Sequence, residues 1–303
     1  MDREIVTDYG NLYYAYRKAK SGKKFNSSTA RFSNVALDGI NILKEQLENQ
    51  TYTVAPYNRF EIYEPKQRVI ESCSFKDKVV QHILCDNILH PKLKNVFIKY
   101  NSAGQIGKGT LYALDGLRDH MESFYQRHGV DGWILKCDIR HFFYEIDHEI
   151  LKDIVDYFFP DPYTTWLNHT LIDSSKNPGL PLGNQAGQVY ALLMVHAVDC
   201  MATGELGITE YGRYMDDFYL IHQDKEYLRG YGDGVIIESY IIGENPLCLI
   251  DFAYCVGDKY VNLKRDCHFK NHGVDRNNVR LCAITVPAKE YDEKIKELSE
   301  KGE

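Results

Sequence analysis

Tyr214-Met215-Asp216-Asp217 stands between two mostly apolar runs, residues 208–214 and 218–221, and constrains the fold more tightly than any other stretch. Two short runs of this kind, separated by so few residues, turn back on each other as strand, turn and strand, with the acids at or beside the tip. Asp tolerates turn backbone angles and is well solvated, so the pair by itself reads first as an ordinary turn. The same tip can point at least one carboxylate into a cleft, where its hard oxygens would hold a divalent cation.

A second acid shifts the balance. Trp133-Ile134-Leu135-Lys136-Cys137-Asp138 reads as a mostly apolar strand ending in a carboxylate, and Ile139-Arg140-His141-Phe142-Phe143-Tyr144 follows at once. A carboxylate at the end of a buried strand is costly unless paired or bound to a cation. Two-metal phosphoryl transfer needs several acids converging on ions roughly 4 Å apart. Asp138 and the Asp216/Asp217 pair, on neighbouring strands of one sheet, would supply that set.

Together these residues resemble the palm of a reverse transcriptase, and the order of further blocks matches. Residues 60–70, with Lys66 and Arg68, look like the fingers hairpin of prokaryotic members, and residues 101–110 like the block that follows it. Residues 138–143 resemble motif A, residues 179–188 motif B and residues 214–217 motif C, so five blocks in order cover most of residues 55–225. Motif B departs from the commoner pattern. Many relatives carry Gln-Gly followed by Ser-Pro, whereas the matching positions here are Leu182-Gly183 and Gly187-Gln188. That form is closer to diversity-generating retroelement enzymes and unclassified bacterial lineages related to group II intron and retron enzymes. Leu182 has no side-chain hydrogen bond to offer a nucleotide, which implies weaker checking of the base pair and lower fidelity.

The resemblance implies roles residue by residue. Asp138 and Asp216 would ligate two Mg²⁺ ions, or Mn²⁺, with Asp217 in support and the carbonyl of Ile139 assisting. Lys66 and Arg68 would hold the triphosphate, since a Lys with a forked Arg suits its dense charge. Phe143, five residues after Asp138, would lie under the sugar and exclude a 2′-hydroxyl, with Phe142 beside it as a core aromatic. Lys264, in the run Val261-Asn262-Leu263-Lys264-Arg265, is the candidate proton donor to pyrophosphate; a surface lysine is the alternative.

Composition bounds the reading. The 303 residues can bury a large core and divide into two lobes. No apolar run is long enough to span a bilayer, and the chain opens with Asp2, Arg3 and Glu4, so a cytoplasmic protein with no membrane partner is expected. The eight cysteines include no Cys-x-x-Cys. Cys248, Cys255, Cys267, His268 and His272 are irregularly spaced and read as ordinary residues rather than a zinc site. A formal charge of −7 runs against the basic footprint usual for phosphate binding, although catalytic acids account for part of it. Arg17, Lys18, Lys20, Lys23 and Lys24 form a local basic cluster that fits nucleic acid and a solvated helix end equally.

Helices are expected over residues 12–20, through Phe32, Ala36, Ile40, Leu43 and Leu47, through Val79, Val80, Ile83, Leu84 and Ile88, over 113–127 and over 189–198. Two strands turning at Pro65 are expected within residues 58–71. The glycines at 104, 107 and 109 make that block a loop, bracing template or nucleotide or simply connecting. Residues 229–262 lack helical periodicity, and Tyr291, Ile295 and Leu298 would line one face of a short helix.

The expected fold is α/β of the α+β kind, a right-hand polymerase fingers and palm with an antiparallel palm sheet packed on helices and a thumb absent or vestigial. Fingers with a helical N-terminal part would occupy residues 1–112, the motif A palm 113–146, a connection 147–180, the rest of the palm 181–270 and a tail 271–303. The implied activity is RNA-directed DNA synthesis from an RNA template, a DNA or RNA primer and dNTPs, with a cognate structured RNA or accessory protein as further partners. Three rivals remain: an RNA-dependent RNA polymerase, a non-catalytic RNA-binding or maturase-like protein, and a template-independent DNA polymerase of a phage-defence system.

Overall fold

The computed structural model describes residues 2–23, 25–63, 67–139, 141–176, 178–224 and 227–228, and, as backbone, strands within 238–287. The chain forms two compact units, Met1–Val96 with Leu151–Leu193, and Phe97–Ile150 with Met194–Glu303.

In the first unit, α1 (Asp2–Thr7) and α2 (Tyr9–Lys20) are followed by α3 (Ser27–Asn34) and α4 (Ala36–Glu48). Helix α2 starts three residues earlier than its apolar pattern because the Asp8 side chain caps it, accepting from the Asn11 amide at 2.8 Å. The Phe32-to-Leu47 stripe is split between α3 and α4, since Val35 adopts φ −126°, outside helix. Ile40, Leu43 and Leu47 are buried as expected, whereas Phe32 is half-buried and packs on Phe75, ring centroids 5.1 Å apart. Two of the basic cluster are engaged internally: Lys18 pairs with Asp86 at 2.8 Å and Lys20 donates to the Tyr16 hydroxyl. Lys24 lies outside the described residues.

Strands β1 (Asn58–Ile62) and β2 (Arg68–Ser72) pair antiparallel, Ile62 opposite Arg68, as the sequence pattern anticipates. Helix α5 (Phe75–Leu84) continues through a π-helical turn, Cys85–Leu89, into α6 (His90–Leu93). Ser74 caps α5 by accepting from the Asp77 amide while its hydroxyl donates to the Asp77 carboxylate, and Asp77, fully buried, also accepts from the Tyr52 hydroxyl at 2.7 Å. Val79, Val80, Ile83, Leu84 and Ile88 are all buried, each contributing roughly 1.5–3 kcal/mol on transfer from water.

The chain then enters the second unit. Helix α7 (Thr110–His128) ends at Gly129, φ 63°, and leads into β3 (Trp133–Asp138) and the short α8 (Phe142–Glu145). Helix α9 (His148–Phe158) carries the chain back, and α10 (Pro162–Ile172) and α11 (Gln185–Met194) complete the first unit. Back in the second unit come α12 (His196–Cys200), a π-helical turn over Met201–Glu205, and the hairpin β4 (Tyr211–Tyr214) with β5 (Asp217–His222). Strands β6 (Glu238–Ile241), β7 (Leu247–Val256), β8 (Lys259–Asn262) and β9 (Val279–Pro287) follow. The second unit thus has one antiparallel sheet of order β4-β5-β3-β6-β7-β8, with β9 also paired to β7.

The absence of helical periodicity over 229–262 therefore corresponds to strands where that region is described. Residues 263–265, 291, 295 and 298 lie outside the described residues. Among the described residues no helix is long and apolar enough to cross a membrane.

Candidate active site

Tyr214 and Asp217 form the last pair of the β4–β5 ladder, so Met215 and Asp216 alone make the turn. Met215 has φ 60° and Asp216 a negative φ, the arrangement of a type II′ turn. Glycine normally takes that first position, and a side chain there costs about 1–2 kcal/mol. A contact from below offsets the strain: Arg213 Nη1 donates to the Met215 carbonyl at 2.9 Å.

Strand β3 lies against β5 with Cys137 opposite Phe218, so the next step along the ladder brings Asp138 to Asp217. The two-residue period of a strand puts Lys136, Asp138, Asp217 and Tyr219 on one face. Lys136 Nζ is 3.4 Å from Asp217 Oδ1. Asp138 is exposed, which corrects the expectation of a carboxylate made costly by burial: along β3 the buried positions are Leu135 and Cys137, and Asp138 has the opposite parity. Its case rests on register instead. Asp216 and Asp217 are half-buried, and Ile139, beyond the end of β3, is buried. Phe142 is buried and Phe143 half-buried, their rings edge to face at 5.4 Å.

Helix α7 reaches this sheet through His120, whose Nδ1 lies 2.9 Å from the Tyr219 hydroxyl. Gly212, opposite Tyr219, leaves room for that ring.

Tyr211 and Arg213 share the other parity of β4 and are buried. Arg213 makes a forked pair with Asp199 of α12, Nε to Oδ1 at 2.7 Å and Nη2 to Oδ2 at 2.6 Å, and both side chains are fully shielded from solvent. The Tyr211 hydroxyl donates to Asp199 Oδ1 at 2.7 Å. Burial works against the Arg213 charge, but the field and hydrogen bonds of Asp199 outweigh it and the pKa moves up. The backbone of Arg213 is held as well: its N–H donates to the Tyr100 carbonyl at 2.9 Å, and its carbonyl accepts from Ser102 at 2.8 Å. The glycine-rich loop is thus fastened along β4. Its Lys108 donates to the carbonyls of Lys99, at 2.7 Å, and Asn101, at 2.8 Å.

The first unit carries the other described residues singled out from the sequence. Arg68 is exposed at the start of β2, with Ile70 two residues on. Gly183, φ 109°, turns beside that strand, and a Cβ there would meet Ile70 Cγ2 at 3.8 Å and the Glu71 carbonyl at 3.9 Å. Leu182 is half-buried. Asn184, buried, donates to the Tyr57 hydroxyl, and Gln81 accepts from the Gln185 amide at 2.8 Å. Arg68, Leu182 and Gly183 therefore belong to one unit, and Asp138, Ile139, Phe143, Asp216 and Asp217 to the other. Lys66 and Lys264 lie outside the described residues.

Among the described residues no three His, Cys, Asp or Glu side chains converge as a ready-made metal cluster. Mg²⁺ commonly takes one or two protein carboxylates and completes its shell with water and substrate phosphate oxygens. Asp138, Asp216, Asp217 and the Ile139 carbonyl are hard oxygen donors that fit that demand.

Sequence reasoning missed Asp199, Arg213 and Tyr211. The signal was available: Arg213 alternates with Tyr211 on a four-residue strand, and an arginine at an inward position requires a buried acid.

No protein-family model and no curated protein matches the chain. Solved structures similar to it include a telomerase from Candida albicans in complex with a fragment of telomeric RNA, at TM-score 0.45 and 13% identity over 59% of this chain and 40% of that one. Two others are telomerase from Candida tropicalis without its C-terminal domain, at 0.44 and 12% over 60% and 48%, and apo telomerase from the same organism, at 0.44 and 11% over 62% and 44%. The chain spans less than half the length of each.

Proposed function

We propose that the chain is an RNA-directed DNA polymerase that extends a primer 3′-hydroxyl with dNTPs by metal-assisted phosphoryl transfer. The observation that carries the reading is the register of β3 on β5, which runs Asp138 alongside Asp217, with Asp216 one residue away in a two-residue turn. The order of five sequence blocks resembling reverse transcriptases, two of which hold these acids, supports the same reading.

Asp138 and Asp216 would hold two Mg²⁺ ions, with Asp217 and the Ile139 carbonyl assisting. The bound ions would supply Lewis-acid chemistry, making the primer hydroxyl a stronger nucleophile and stabilising the departing pyrophosphate. The protein's own contribution is position and charge. Lys136, beside Asp217, tempers the negative charge that these acids present before substrate arrives. Phe143 would exclude a 2′-hydroxyl by bulk. Arg68, and Lys66 on the sequence reading, would hold the triphosphate.

Primer extension on an RNA template with dNTPs and Mg²⁺ tests the proposal, with Asp216→Ala as control. Template-dependent product lost in the variant is the expected result. Incorporation of ribonucleotides would restore the RNA polymerase reading, and product without template would point to template-independent synthesis. No product from folded wild type would refute the assignment in favour of a binding protein.

A further inference from the structure

We propose that Asp199, Arg213 and the Met215 carbonyl form a positioning relay that sets where the Asp216-Asp217 turn sits. The inference rests on the reading of those acids as cation ligands and goes on to name what holds them.

The turn does not specify its own geometry. Its first central residue is Met215 at φ 60°, where hairpin chemistry would select glycine, so the local sequence does not favour the turn it adopts. Support for it must come from outside the turn. Arg213 is suited to supply it because its three nitrogens act in two directions: Nε and Nη2 grip the two oxygens of Asp199, while Nη1 donates to the Met215 carbonyl at 2.9 Å. The planar guanidinium ties these directions rigidly together, so the carbonyl's position is referred to α12. The far end is fixed as well. Tyr211 donates to the same Asp199 oxygen that Arg213 Nε uses, and the Arg213 backbone is bonded to Tyr100 and Ser102.

The choice of residues points the same way. A buried ion pair is seldom the most stable way to fill a core, and apolar side chains of similar volume usually do as well or better. Apolar side chains at 199 and 213 would leave the Met215 carbonyl without this donor. A lysine at 213 would keep the charge but lose the planar fork, and could not serve Asp199 through two nitrogens while also reaching the carbonyl.

The test compares wild type with Arg213→Lys and Tyr211→Phe in the full chain, by hydrogen exchange of peptides spanning the turn and by the Mg²⁺ concentration giving half-maximal primer extension. In Arg213→Lys, amide exchange within 211–220 should rise about tenfold or more, the scale of one charge-assisted hydrogen bond. The Mg²⁺ requirement should rise with it, while exchange in α5 stays at the wild-type rate. Wild-type exchange at the turn in a folded variant would overturn the proposal. So would a rise spread evenly over β3, β5 and α7, the mark of a pair that only stabilises the unit. Should Arg213→Lys not fold, Tyr211→Phe decides: it removes one hydrogen bond from Asp199 and keeps both charges, and unchanged turn exchange in it would overturn the relay. A wild type without extension at any Mg²⁺ level would refute the polymerase reading, and the exchange comparison would then judge the relay by itself.

Discussion

Lys136→Gln should lower the Mg²⁺ concentration needed for half-maximal activity. Lys136 Nζ stands 3.4 Å from Asp217 Oδ1, and both side chains are about half exposed, at 57% and 49%. At that separation two unit charges attract by about 1.2 kcal/mol in bulk water. Exposed pairs measured by double-mutant cycles fall at roughly 0.2–1 kcal/mol once screening and side-chain entropy are included. A cation approaching Asp217 competes with this ammonium, so its removal should favour binding by about 0.5 kcal/mol, or roughly two- to threefold in concentration, with about fivefold as the ceiling. Lys136→Arg keeps the charge and should stay near wild type. The assay is primer extension across a Mg²⁺ titration at low salt, repeated at high salt, where the difference should shrink as the Debye length falls. An unmoved or higher Mg²⁺ requirement in Lys136→Gln would refute the reasoning. A higher KM for dNTP with the Mg²⁺ curve unchanged would instead assign Lys136 to the substrate phosphates.

A Cβ at Gly212 would lie 2.5 Å from the Tyr219 hydroxyl and 2.7 Å from its ring carbons, and moving the ring breaks its bond to His120. Gly212→Ala should therefore lose about 2 kcal/mol of stability in urea unfolding, and a loss under about 0.5 kcal/mol would contradict the packing. Burial lowers the His120 pKa below 6.5, only partly countered by Glu210. A group of this kind stays neutral in the folded protein while the unfolded chain takes up its proton, so stability should fall as pH drops through about 6.5 and below. His120→Gln should flatten that slope between about pH 7.5 and 5.5; an unchanged slope would exclude His120 as a source. Leu182→Gln should reduce misincorporation if Leu182 faces the nucleotide, and equal error rates in the two proteins would remove it from that role.

Strand β4, the turn and β5 were legible because mostly apolar runs flank a short polar link, a local pattern set within a dozen or so positions. The hairpin β1–β2 and the helix through Val79 and Ile88 were legible for the same reason. The break at Val35 was not. The apolar stripe runs straight across it, and the residue that leaves the helix has no breaker chemistry of its own; the break accompanies tertiary packing that sets Phe32 on Phe75 and beside Gly39. The start of α2 shows the converse limit, since a cap lies outside the periodic pattern by definition.

The site divides along the same line. Asp138, Asp216 and Asp217 were visible because acids beside apolar strands stand out, although Asp138 is exposed rather than buried. Parity along β3 exposes it, and register against β5 is what brings it beside Asp217. Register is a property of two strands and cannot be read from either alone. The Arg213–Asp199 pair belongs to the same class of fact. It joins a strand to a helix 14 residues earlier; the place of Arg213 beside Tyr211 calls for a buried acid, but only the fold shows that Asp199 is that acid. On the proposed reading the turn's own residues are committed to chemistry, so its support comes from an element distant in sequence. The residues that fix an active site's geometry are therefore harder to find by motif than those that perform its reaction, and buried charge on a strand is the sequence signal best suited to reveal them.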